Sequence, residues 1–283
     1  MRKVNYMEDE GVAGAVTVVL VMALISVLLA YYVGVIIPST ISQYEFTMDQ
    51  GLDSSIMQFS SDIVNMQSTG TIGMVDYVNF ILETQSVPIF SSPSYASLSF
   101  ISSVRNGSFS YFVNASDKIT GLPTSFFYGG GGMEISNGNR FYSPGIIYYE
   151  GGSVYEINSA NSSSESPVSL STVLEYSPGT NTYYFNLFDI YGTAQAVSSG
   201  SVDLEIEYSG TSQLSTTLTQ PLPVYVGFSS VNAAQVFYLG ALQLFSGATI
   251  TPSHTGVNFT IPAGVNVVFS VSSYAISEYG LVR

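Results

Sequence analysis

The spacing of hydrophobic positions along this chain changes twice. From Val12 to Ile37 they form an almost unbroken run of 26 residues, VAGAVTVVLVMALISVLLAYYVGVII, without a charge. A hydrocarbon layer about 30 Å thick takes roughly 20 apolar residues of helix, so the run is long enough to span with some tilt. Past Pro38 the apolar residues recur in steps of three and four, at Ile41, Tyr44/Glu45, Met48, Leu52, Ser55/Ile56, Phe59, Ile63 and Met66. This spacing predicts one apolar stripe on a helix. The acidic residues Glu45, Asp49, Asp53 and Asp62 are read as lying off the stripe. Ser39 to Gln67 corresponds to about 43 Å of helix at 1.5 Å per residue. Pro38 either kinks one continuous helix or starts a second. Ser68, Thr69 and Gly70 supply stop signals.

From Thr71 onward the period falls to two. Candidate strands are 72–82, 98–104, 109–113, 146–149, 154–157, 182–188, 202–208, 223–228, 257–261 and 265–272, separated by Gly, Pro, Ser and Asn clusters. Glu150-Gly151-Gly152 reads as a tight hairpin, because glycine supplies positive φ at no steric cost. Ile261-Pro262-Ala263-Gly264 reads the same way. Apolar residues in helical steps from Val231 to Phe245 predict one short helix with Ser230 as its N-cap. Gly129 to Gly132 reads as a flexible turn or linker and a candidate lobe boundary, and Asn158 to Ser166 as a polar loop. The expected fold is a long N-terminal α-helix, transmembrane then amphipathic stalk, followed by an all-β, sandwich-like extracellular domain with one short helix. Its divisions are a cytoplasmic leader (1–11), a transmembrane helix (12–37), a stalk (38–70) and a β-rich body (71–283).

Charge orients the span. Arg2 and Lys3 precede it, and the next basic residue is Arg105, so the positive-inside rule places the N-terminus in the cytoplasm and the body outside. A cleaved signal peptide has an apolar region of about 7–15 residues and a small-x-small site, whereas this run is longer and ends in Tyr31, Tyr32 and Pro38. The two tyrosines suit the outer interface. Gly11, Gly14 and Ala15 place small residues at the start of the span, where helices can approach closely.

Composition narrows the chemistry. The net charge of −14 comes from having only 6 Lys and Arg against 20 Asp and Glu. Clustered bases that would neutralise phosphates are missing, which argues against nucleic acid as a partner. With no Cys, disulfides, thiolate nucleophiles and Cys-ligated metals are excluded. Sequons at Asn106, Asn114, Asn161 and Asn258 are candidate N-glycosylation sites on a translocated body. His254 is the only histidine and reads as a loop residue, too isolated for a triad or a His-based metal site. Asp203, Glu205 and Glu207 alternate along one strand and so share a face, read as a solvated surface with a weak Ca²⁺ site as the alternative. No catalytic, cofactor-binding or metal-ligating residues are assigned, no cofactor is expected, and the chain is not read as an enzyme.

The layout resembles archaeal type IV pilin-like and archaellin-like membrane-anchored surface proteins. The likeness rests on short basic and polar residues ahead of Gly11-Val12, the apolar run to Pro38, and the helix that continues outward. A Tyr-rich segment, Tyr142 to Tyr155, is similar to one in the β bodies of related uncharacterised archaeal membrane-anchored proteins. The resemblance implies cleavage between Gly11 and Val12 by a prepilin-type peptidase. It also implies packing of the apolar helix against copies of itself or other pilin-like subunits in a filament core. Glu10 stands where such sites usually carry a basic residue, and Val16 where a carboxylate is often found five residues into the mature chain. The expected function is therefore a cell-surface structural protein, a filament subunit or minor filament-associated component. The alternative is a permanently membrane-anchored adhesin or envelope-binding protein that does not polymerise. A solute-binding or hydrolytic domain on a stalk lacks a polar constellation to support it.

Overall fold

The structure is a computed structural model that describes residues 6–87, 92–101, 111–115, 126–142, 145–158, 165–169, 174–192, 195–197, 200–228, 231–245 and 247–282. One helical rod opens the chain: α1 (Tyr6–Tyr31), a π turn (Tyr32–Ile36) and α2 (Ile37–Thr69). Pro38 does not break it. Its ring would crowd the Gly34 carbonyl of a regular α-helix, and the wider turn, in which the Ile37 N–H bonds Tyr32 O, lies just ahead of it. Gly70, at φ 63°, closes α2, its N–H bonding Met66 O at 3.0 Å.

Three sheets follow. The first runs β1 (Val75–Ile81), β12 (Ser201–Thr217), β16 (Asn266–Val282), β10 (Thr182–Gly192) and β9 (Leu174–Ser177) in spatial order. The second runs β11 (Gln195–Val197), β2 (Ala96–Ile101), β5 (Gly132–Asn137), β6 (Gly145–Glu150), β7 (Ser153–Asn158) and β8 (Glu165–Ser169). The third runs β14 (Thr249–Ser253), β15 (Gly256–Ile261), β13 (Leu222–Phe228), β3 (Tyr111–Ala115) and β4 (Phe126–Gly130). β10 and β16 pair in parallel, while the other pairs are antiparallel. One helix, α3 (Val231–Leu244), packs on β13, β14 and β15. The expected class, a long helix followed by a β body with one short helix, is the observed one. Ser230, the expected N-cap of α3, lies outside the described residues.

Two expected turns are corrected. Gly129, Gly130 and Gly132 are not a flexible linker: the first two lie in β4 and the third in β5, all buried, where the chain passes from the third sheet to the second. A Cβ on Gly130 would sit 2.1 Å from the Tyr111 ring, so packing demands glycine there. The 261–264 turn is not a hairpin, because β15 and β16 belong to different sheets. By contrast, β6 and β7 form the expected hairpin, with Gly151 and Gly152 at φ 57° and 79°.

The core contains the stalk. Met48, Leu52, Ile56, Phe59, Ile63 and Met66 are buried in one cluster with Val78, Phe80, Leu204, Ile206, Tyr149 and Tyr274. The Phe59 and Tyr149 rings meet edge to face at 5.2 Å. The buried Tyr274 hydroxyl donates to Ile63 O at 2.8 Å, and Ser55 Oγ donates to Asn79 O at 2.7 Å. The stripe thus packs on the chain's own sheets.

Candidate functional site

Described side chains of the rod fall into two environments. Leu20 and Val27 are 64% and 66% exposed, and the residues from Gly14 to Ile36 are exposed on every side of the helix. A helix that is apolar all round is stable only in lipid or against other apolar surfaces. The Ser26 hydroxyl donates to Met22 O at 2.8 Å, so this polar group is satisfied within the helix. Gly11 and Val12 lie on the α1 backbone.

Where the rod enters the body, the structure corrects the reading of Glu45. It lies on the stripe, four residues after Ile41, and is fully buried. Its carboxylate accepts from Ser94 Oγ at 2.5 Å and from the backbone N–H groups of Arg140, Phe141 and Tyr142 at 2.7–2.8 Å. Burial opposes the charge, but the Ser94 hydroxyl and the three amides outweigh it and hold the carboxyl below its ordinary value. The segment 140–142 is thereby clasped to the stalk, and Phe46 packs on Tyr142 at 5.3 Å.

One turn along, Asp49 accepts from Asn137 Nδ2 at 2.7 Å and Asn139 Nδ2 at 3.0 Å. Burial pushes Asp49 up to about 6, helped by Glu156 and Asp53 and resisted by the two amides. Asp53 is also pushed up to about 6, by burial and then by Glu156. Burial, with Asp76 nearby, raises Asp62. The residue type gave no hint of this: Asp49 and Asp53 read as lying off the stripe, and the folding of β5–β7 against α2 half-buries them. For Glu45 the signal was its step of four from Ile41.

The remaining candidates stay apart. Asp203, Glu205 and Glu207 do share the outer face of β12, with Asn79 Nδ2 donating to Asp203 at 2.6 Å. His254 lies exposed in the β14–β15 turn. Among the described residues, no group of three acidic, His or Cys side chains could hold a metal ion. A cleft of about 410 Å³ between α2 and the end of β1 is lined by Tyr44, Met48, Gly51, Ile81 and Glu83. Glu83 is the only carboxylate among its described lining residues, and it accepts from the Gly200 N–H. Asn114 lies on β3 and Asn258 on β15, while Asn106 and Asn161 lie outside the described residues. Set against protein-family models, curated proteins and solved structures, the chain matches none.

Proposed function

We propose that this chain is a pilin-like cell-surface structural protein, a filament subunit or a minor filament-associated component. The carrying observation is the division of the rod: α2 buries its stripe in the body, while the half from Gly14 to Ile36 is apolar on every side and uncovered. That half needs a bilayer before assembly and copies of itself or related subunits afterwards. The body stands outside the membrane as a polar head rigidly carried on α2, and the short leader up to Gly11 is removed by a prepilin-type peptidase.

Mass spectrometry of the mature N-terminus tests the reading. The expected chain starts at Val12 and occurs in filaments sheared from the cell surface and imaged by negative stain. An intact leader on every copy, with no copy in any filament, overturns assembly and leaves the permanently anchored adhesin or envelope-binding protein. Glu10 ahead of the cleavage position and Val16 within the helix favour that second reading.

A further inference from the structure

Register brings two of the four sequons into one row. Across the third sheet, Thr251 pairs with Asn258, Asn258 with Tyr225, Tyr225 with Asn114, and Asn114 with Phe127. Directly paired residues of antiparallel strands share a face. The opposite face carries Tyr111, Val113, Val224, Val226, Val257 and Phe259, all buried, so the row faces outward. Asn258 and Asn114 lie two strands apart, about 10 Å at 4.8 Å per strand. Asn258 and Thr260, acceptor and hydroxyl of the Asn258-Phe259-Thr260 sequon, are both exposed on this face.

Aromatic rings stand between and beside them: Tyr225 separates the two asparagines and Phe127 follows Asn114. Phe112 lies 5.5 Å from Tyr225 and 5.7 Å from Phe127, centroid to centroid. Glycines leave the floor open for these rings: a Cβ on Gly227 would sit 2.5 Å from the Phe112 ring, and one on Gly256 2.5 Å from the Tyr225 hydroxyl oxygen. The result is a low aromatic strip with Asn258 at one edge and Asn114 set between Tyr225 and Phe127, with Thr251 and Thr260 exposed beside Asn258 and no charged residue in the row. Pyranose rings present C–H faces that pack on aromatic rings and hydroxyls that bond amides and threonines.

We propose that Asn114 and Asn258 are both N-glycosylated and that their glycans lie across the Phe112–Tyr225–Phe127 strip, making this sheet face the covered side of the body. This rests on the body standing outside the membrane, as in the function proposed above. The donor is a polyprenyl-phosphate-linked oligosaccharide supplied by a membrane transferase. The sugar C1–O bond to phosphate breaks with its electron pair on the departing phosphate, and a bond forms from C1 to the Asn Nδ2. One amide proton passes to a base of the transferase, and no group is oxidised or reduced. Transfer precedes folding, while the sequon is still free of the sheet.

The test uses full-length protein from its source cells, whose body is first shown to be digested by protease added outside. Intact-glycopeptide mass spectrometry is expected to find sugar on both Asn114 and Asn258. Hydroxyl-radical labelling of Phe112, Tyr225 and Phe127 is expected to rise several-fold when both sequons are removed by Asn114→Gln with Thr260→Ala. Labelling of Tyr279, on another sheet, stays unchanged. An externally digested body with unmodified asparagines overturns the proposal while leaving the exterior placement intact. Glycosylated asparagines with equal ring labelling overturn the stacking. A body that is protected until the cells are opened overturns both the placement and the glycans.

Discussion

The two halves of the rod share one backbone and differ in who covers them. In α2 every fourth or third residue is buried, and the body supplies the cover: Phe59 meets Tyr149, Ile63 O receives the Tyr274 hydroxyl, and Glu45 is closed by three backbone amides. From Gly14 to Ile36 no described residue of the chain covers the helix. The difference teaches where each half draws its stability. The outer half is an element of a folded domain. The inner half is an unpaid hydrophobic surface whose free energy is recovered only in lipid or against another apolar surface.

The largest test attacks the inner half alone. Aspartate at a helix centre costs about 2.5–3.5 kcal/mol of insertion free energy and leucine contributes about 0.5 kcal/mol, so Leu20→Asp with Leu24→Asp costs about 6–8 kcal/mol. The protein is expected to leave the membrane fraction on alkaline carbonate extraction. Its body, purified in detergent, keeps the unfolding midpoint of the natural chain.

The converse change leaves anchoring intact and breaks the head. Phe59 is fully buried, and Phe59→Ala is expected to lower body stability by about 3–5 kcal/mol. Leu24→Ala, at an exposed site of the inner half, is expected to leave it unchanged. Denaturant unfolding of the full chain in micelles, followed by near-ultraviolet tyrosine dichroism, reads both.

Between the halves stands Glu45. Glu45→Ala strips acceptors from the Ser94 hydroxyl and three backbone N–H groups, and unpaired buried donors make the expected loss about 3 kcal/mol. Glu45→Gln retains one acceptor oxygen and falls in between. Hydrogen exchange at the amides of Arg140, Phe141 and Tyr142 is expected to accelerate in both variants, because these are the groups the carboxylate holds.

How much of this division could be read from residues alone follows from what each signal measures. The uncharged run and the stripe from Ile41 to Met66 were legible because helical periodicity is local. Hairpin chemistry located Gly151-Gly152 for the same reason. Partner strands were not legible: Ile261 to Gly264 carries the residues of a hairpin, yet β15 pairs with β13 and β14 and β16 with β12 and β10. Turn composition fixes a reversal, not the sheet that receives the next strand. Gly129 to Gly132 misled because glycine signals freedom, whereas at Gly130 it is there for want of space beside Tyr111. The carboxylates of α2 were invisible as a group, since their environment comes from β5–β7, some ninety residues later. The pairing of Asn114 with Asn258 through Tyr225 is likewise a matter of register.

Those carboxylates give the outer half a pH dependence that the inner half lacks. Asp49 and Asp53 titrate near 6 in the folded state, above their ordinary 3.8. The native state therefore holds protons that the unfolded chain has already released. The associated stability is fully present below about pH 4, declines as pH rises, and is gone above about pH 6. Allowing for water that screens half-open carboxylates, the two together contribute about 2 kcal/mol. Glu45 acts in the opposite sense: its depressed pKa gives stability that is lost only as pH falls through that lowered value. Unfolding midpoints in detergent are expected to fall from pH 4.5 to pH 7, and Asp53→Asn to flatten the slope by about half. A flat profile in the natural chain would show that Asn137, Asn139 and solvent fully offset the burial of these groups.

The smallest effect is the cleanest comparison, because it makes the same change in both halves. Gly51 in α2 and Gly34 in the π turn both have open space where a Cβ would stand. Alanine in place of glycine within a helix gains about 0.8–1 kcal/mol by reducing the freedom of the unfolded backbone. At Gly51 that gain belongs to the unit that melts with the body, so Gly51→Ala is expected to raise the midpoint by about 2–4 °C. At Gly34 the helix stays formed in the micelle when the body unfolds, so the same substitution moves nothing. Equal shifts from the two variants would mean that the rod melts as one piece with the body, and that the boundary between its halves is one of exposure only, not of cooperative folding.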